Sequence, residues 1–130
     1  MSPAGARCPP PTARPGVREL PARLAGLPAR QLPGGLVLVT ADSPRARLLG
    51  LALLDGLPAH VGLRLPRCRS VHTLGMRFAL DLLFLDGRGA VLRLARGVPG
   101  GRVVACRRAR EVVEARAGAG ERFLATLARA

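Results

Sequence analysis

The sequence predicts a small, mainly β domain, a sandwich or barrel with one or two short helices. Three observations carry that expectation. Short apolar runs recur at roughly 8 to 12 residue spacing with turn residues between them. One of them, Phe78 to Leu85, leads through Asp86-Gly87-Arg88-Gly89 into Ala90 to Ala95, the pattern of a β-hairpin. The chain has 130 residues, enough for one hydrophobic core and too few for two.

The elements follow in order. Eight of the 12 prolines precede Gly34, so no long helix or central strand can form there, and residues 1 to 33 read as a flexible Pro/Arg-rich tail. A single β-rich domain is expected over residues 34 to 130. Leu36 to Thr40, after Gly34-Gly35, is a β-branched and apolar run that suits a first strand. Asp42-Ser43-Pro44 is a helix start, because Ser43 can cap orphan amides and Pro44 at the first helical position forfeits no hydrogen bond. The apolar segment Leu48 to Leu54 follows, ended by Gly56 and Pro58, and must pack against a sheet. Val61, Leu63 and Leu65 alternate with Gly62 and Arg64 and predict a half-buried strand. In the hairpin, Phe78, Leu80, Leu82 and Phe84 share one face, with Ala79, Asp81, Leu83 and Leu85 on the other. Both faces are apolar except at Asp81. Arg102 to Cys106 and Glu111 to Ala115 suit short strands, and Glu121 to Arg129 a terminal helix.

Composition narrows the classes of function. All 21 basic residues are arginine against 8 acidic ones, giving a net charge of +13 that favours anionic partners. Nucleic-acid binding is nevertheless not the leading expectation, since three Phe and no Tyr or Trp leave no supply of base-stacking platforms. No apolar run approaches the roughly 18 to 20 residues of a membrane span. An odd count of cysteines, Cys8, Cys68 and Cys106, and an N-terminus without a secretory pattern lead to the expectation of a reduced, cytoplasmic setting. A monomer is expected.

The stretch Cys68-Arg-Ser-Val-His-Thr-Leu-Gly-Met76-Arg-Phe-Ala-Leu-Asp81-Leu-Leu-Phe-Leu-Asp86 resembles the signature of the bacterial and archaeal family called domain of unknown function 192. Ser43 to Leu51 looks like that family's basic helix, and Arg102 to Cys106 with Glu111 to Glu114 like its later strands. The similarity covers about residues 37 to 118. It implies a compact, mostly antiparallel β-sandwich of jelly-roll type with no established activity, substrate or cofactor. The chain departs from the pattern at Ala79, where proline is common, and lacks a tryptophan after the hairpin.

Three constellations could carry chemistry. Cys68, His72 and Met76 offer thiolate, imidazole and thioether donors at spacings of four, a set suited to Cu(I) or, without Met76, to zinc, with Cys106 as a further donor if its strand lies beside Cys68. An extended chain would separate Cys68 from His72 by about 13 Å, whereas two ligands of one zinc lie within about 4.5 Å of each other. A shared ion therefore needs residues 68 to 72 to be coiled. The plainer reading packs Cys68 and Met76 as apolar side chains and hydrogen-bonds His72 to a carbonyl.

Asp81, inside an apolar strand, must find donors. Arg77 could supply them as a bidentate partner if the chain turns at Gly75. The same residues could instead form a polar ligand cradle of His72, Thr73, Met76, Arg77 and Asp81. Catalysis has little support: Ser70 and His72 share a strand face without an acidic orienter, and the Gly-x-Ser-x-Gly and phosphate-loop patterns are absent. The leading expectation is a non-catalytic ligand-binding module, with a soft-metal protein or metalloenzyme and a basic nucleic-acid binder as alternatives.

Overall fold

A computed structural model describes residues 20–43, 46, 51, 52 and 54–128. Among them are eight strands, one α-helix and a short 3-10 turn at Pro33–Gly35 between the first two strands: β1 (Ala29–Leu32), β2 (Leu36–Thr40), β3 (Val61–Pro66), β4 (Ser70–His72), β5 (Leu80–Leu85), β6 (Val91–Val98), β7 (Val103–Ala105), β8 (Glu111–Arg116) and α1 (Gly120–Leu127). Six strands make one sheet in the order β1-β2-β3-β8-β5-β6, and β4 pairs with β7 in a second, two-stranded sheet. The domain is mainly β, as the spacing of the apolar runs predicts. All strand pairs are antiparallel except β2 with β3, which are parallel. The long connection over residues 41 to 60 supplies the crossover that a parallel pair needs.

The hairpin forms as the sequence predicts. Asp86 turns the chain by accepting the amides of Arg88 at 2.8 Å and Ala90 at 3.0 Å on Oδ1. These two backbone bonds, that of Ala90 foremost, hold its carboxyl below the usual carboxylate range. Gly89 takes a φ of 85°, where a side chain would be strained.

Every residue of β5 is buried, because the central strand is covered on both faces. Leu80, Leu82 and Phe84 join Val37, Val39, Val61, Leu63, Leu65 and Val112 in a core that the β4–β7 layer closes through Val71. Leu83 and Leu85 face the other way, toward Leu36, Leu38, Val113 and the Phe123 and Leu127 side chains of α1. Full burial of a residue such as Phe123 contributes about 2 to 3 kcal/mol. The architecture is thus three layers: a two-stranded sheet, a six-stranded sheet and a helix.

Two expectations change. Residues 20 to 33 do not all belong to a flexible tail: Leu24 is 1% exposed in the first core, with Leu20 and Leu27 packed beside it, and β1 pairs with β2. The prolines permit this because β1 lies between Pro28 and Pro33 at the sheet edge, where a missing amide breaks no interior ladder. Residues 1–19, with Cys8, lie outside the described residues. The second change concerns Gly62, whose face of β3 looked solvent-directed. It is the floor on which α1 sits, and a Cβ at Gly62 would stand 2.9 Å from Phe123 Cε1.

The helix start at Ser43 is present, its Oγ accepting the amide of Ala46 at 3.1 Å. Most of the segment that follows it lies outside the described residues. No helix among the described residues is long and apolar enough to cross a membrane.

Candidate functional site

Asp81 points inward from β5 on the α1 side and is 3% exposed. Its donors are backbone amides. Oδ1 accepts from Gly97 at 2.8 Å, and Oδ2 accepts from Gly118 and Gly120 at 2.9 Å each. A buried carboxylate with three amide donors is satisfied without a cationic partner. The expected Arg77–Asp81 pair does not form. Gly75 does turn the chain with a φ of 77°, but Arg77 Nη1 reaches Asp55 Oδ1 at 2.7 Å in an exposed ion pair.

Thr73, fully buried, is also saturated. Its hydroxyl donates to Pro99 O at 2.7 Å and accepts the amide of Arg102 at 2.8 Å. His72 is exposed on β4, paired across the strand with Val103, and Met76 is half-buried against the first core. The five residues of the expected cradle therefore serve separate contacts: Asp81 and Thr73 pin backbone on different sides of β5, His72 faces outward, and Arg77 is drawn to Asp55.

The metal reading meets a similar geometry. Ser70–His72 is extended, so the coiled chain that a shared ion would need is absent over those residues. Cys68 Sγ donates to Ser70 O at 3.2 Å, and Cys68 and Cys106 are half-buried and packed against the first core. Among the described residues, no three His, Cys, Asp or Glu side chains come together as a metal site would require.

The structure instead brings together residues that the sequence left scattered. Beside the C-terminal end of α1, the helix stops short of covering the sheet and leaves a pocket of about 430 Å³. Its floor is Leu38, Leu85 and Val113, and Leu127 closes the helix side. Three arginines surround it: Arg30 from β1, Arg64 from β3 and Arg88 from the hairpin turn. The one acidic group lining it is Glu111, whose Oε2 accepts both Arg64 Nε at 3.0 Å and Arg64 Nη2 at 2.7 Å. Arg64 on β3 lies opposite Val113 and reaches Glu111 diagonally, two residues along β8, because the two strands run antiparallel side by side, which joins residues 47 apart in sequence.

A second, more open groove of about 580 Å³ lies at one end of the β4–β7 layer, lined by Arg69, Ser70, Ala105, Cys106, Arg107 and Arg108.

Sequence reasoning also missed Glu114. On β8 it lies between Leu63 and Leu82 in register, shares a face with Val112, and is 4% exposed. Its Oε1 has no hydrogen-bond partner among the described residues, and burial pushes its carboxyl up to about 7. A signal was present in the alternation, since Val112 and Glu114 must share one face while Val113 and Ala115 share the other. Both faces are apolar around the acid, as they are around Asp81.

Sequence and structural comparisons agree with this architecture. The chain belongs to the domain of unknown function 192 family, described as "Uncharacterized ACR, COG1430", whose profile matches residues 32–125. No curated protein matches it. Two crystal structures share the fold. One, from Sinorhizobium meliloti 1021 and described as a "putative transcription regulator", is 20% identical with a TM-score of 0.60 over 73% of this chain and 82% of its own. The other, a protein of unknown function from Novosphingobium aromaticivorans DSM 12444, is 16% identical with a TM-score of 0.59 over 79% of this chain and 90% of its own.

Proposed function

We propose that the protein is a non-catalytic binding module for a small anion, held in the pocket between Arg30, Arg64 and Arg88. The observation that carries this reading is the charge imbalance of the pocket: three guanidinium groups against one carboxylate, around an apolar floor. Guanidinium forks match the oxygens of phosphate and carboxylate in geometry as well as charge. The C-terminal end of α1 opposes an anion with about half a negative charge, which the net of about two positive charges outweighs. Binding rather than catalysis is supported by the donor set, because the carboxylate that could act as a base, Glu111, already holds Arg64.

The test uses inorganic phosphate and citrate as probes in thermal-shift and calorimetric titrations of the whole chain. Both anions are expected to raise the melting temperature, and Arg30→Ala and Arg88→Ala, both at exposed positions, to abolish the shift while the circular dichroism spectrum is retained. Equal shifts in wild type and both variants would refute the reading.

A further inference from the structure

The outer surface of the β4–β7 layer is a second place where the fold presents unmatched chemistry. Ser70, His72, Val103 and Ala105 all face solvent, as the two cross-strand pairs Ser70↔Ala105 and His72↔Val103. At one end stand Arg69, Arg107 and Arg108, with no acidic residue among the groove-lining side chains. At the other end Val103, opposite His72, is 71% exposed, and Leu74, in the turn just beyond β4, is 60% exposed; they are two of the three large apolar side chains exposed among the described residues. Arg69 and His72 are three residues apart, so the basic and apolar ends are separated by about 10 Å of extended chain.

We infer that this face is a docking surface for an extended acidic peptide segment of another protein, with two acidic residues at the arginine end and an apolar residue about three positions along, seated on Val103 and Leu74. Charge complementarity selects the sign of the partner, and the apolar end selects its class. A nucleic-acid strand would use the guanidinium groups for its phosphates but has no counterpart for an exposed valine and leucine. The layer has no aromatic residue on which a base could stack. A peptide matches both ends at the pitch of a β-strand. The surface lies on the opposite side of the six-stranded sheet from α1, so it is separate from the anion pocket.

The experiment is fluorescence anisotropy with two labelled probes: the peptide Gly-Glu-Glu-Ser-Thr-Leu-Val-Gly, and a single-stranded oligonucleotide of similar length. Variants are the charge reversal Arg107→Glu with Arg108→Glu, and Val103→Ser. These positions are exposed, and retained circular dichroism confirms that the fold survives. The peptide is expected to bind, and each variant to weaken it by about tenfold, the size of a typical anchor loss. A control peptide with Ser-Ser in place of Leu-Val is expected to bind wild type as weakly as the full peptide binds Val103→Ser. The inference is overturned if the peptide does not bind, or if only the charge reversal matters and the oligonucleotide binds as tightly as the peptide. Arg30→Ala and Arg88→Ala should leave peptide binding unchanged, so failure of the anion pocket and failure of this surface are read separately.

Discussion

Asp81 Oδ2 accepts the amide of Gly120 at 2.9 Å, and a Cβ on Gly120 would stand 2.7 Å from that same oxygen. The carboxylate thus caps the first turn of α1 from a neighbouring strand, a task usually done by the residue just before the helix, here Ala119, which has no side-chain acceptor. The bare backbone at Gly120 is what lets β5 come close enough. Two further amides, from Gly97 and Gly118, make the same side chain a tie between β6, the β8–α1 connection and the helix.

Removing that tie should unfold α1 first. Asp81→Ala leaves three amides without their buried acceptor and is expected to cost about 3 kcal/mol. Gly120→Ala, which forces Cβ onto Asp81 and to 2.9 Å from Leu94 Cδ1, is expected to cost a comparable amount. Chemical denaturation checks both; a loss under about 0.5 kcal/mol for either would contradict this role.

Glu114 predicts a pH dependence of stability. Its folded carboxyl is raised from an ordinary value of 4.5 to about 7, so the folded state holds the proton more tightly than the unfolded chain. Stability should therefore fall as pH rises from about 4.5 to about 7 and then level off, by about 3 kcal/mol in total from this group. Glu114→Gln should flatten that slope, and Glu114→Leu should be more stable than wild type at pH 8. Urea unfolding across the pH series measures it, and an unchanged slope in Glu114→Gln would count against the assignment.

Gly62 makes the seat for the helix. Gly62→Ala would place Cβ 2.9 Å from Phe123 Cε1, 3.0 Å from Cζ and 3.2 Å from Val113 Cγ1. The overpacking should cost about 1 to 3 kcal/mol. Pairing it with Phe123→Leu should recover part of that loss. If the double variant is as unstable as the sum of the singles, the contact is not the cause.

The Arg64–Glu111 pair, with side chains 33% and 21% exposed, is expected to matter more to ligand charge than to stability. Glu111→Gln should cost under about 1 kcal/mol while tightening phosphate binding, because it frees Arg64 and removes the negative charge in the pocket. Calorimetry gives the binding change and thermal melting the stability change. Weaker phosphate binding in Glu111→Gln would reject the pocket's electrostatic logic.

Much of the fold was legible because its signals are local. The Asp86–Gly89 turn, the two-faced apolar run of β5 and the alternation along β3 depend on residues within a few positions of one another, where backbone geometry and side-chain period act directly. The candidate site was far less legible. Arg77 lies four residues before Asp81 and looked like its partner, yet the acid's donors come from Gly97, Gly118 and Gly120, as far as 39 residues along the chain. Arg30, Arg64, Arg88 and Glu111 come from four separate segments and share no spacing that could have announced a pocket.

The order of apolar and turn residues alone determined that this chain makes a small mainly β domain with a β5–β6 hairpin and an acid turned inward on β5. Strand pairing decided the rest. It placed β8 between β3 and β5, which buried Glu114 and set Arg64 against Glu111. It left the far end of the sheet open beyond α1, and it turned the arginines around that end toward one space. The physical reason is that periodicity specifies which face a side chain takes, while the neighbour on that face is chosen by long-range register.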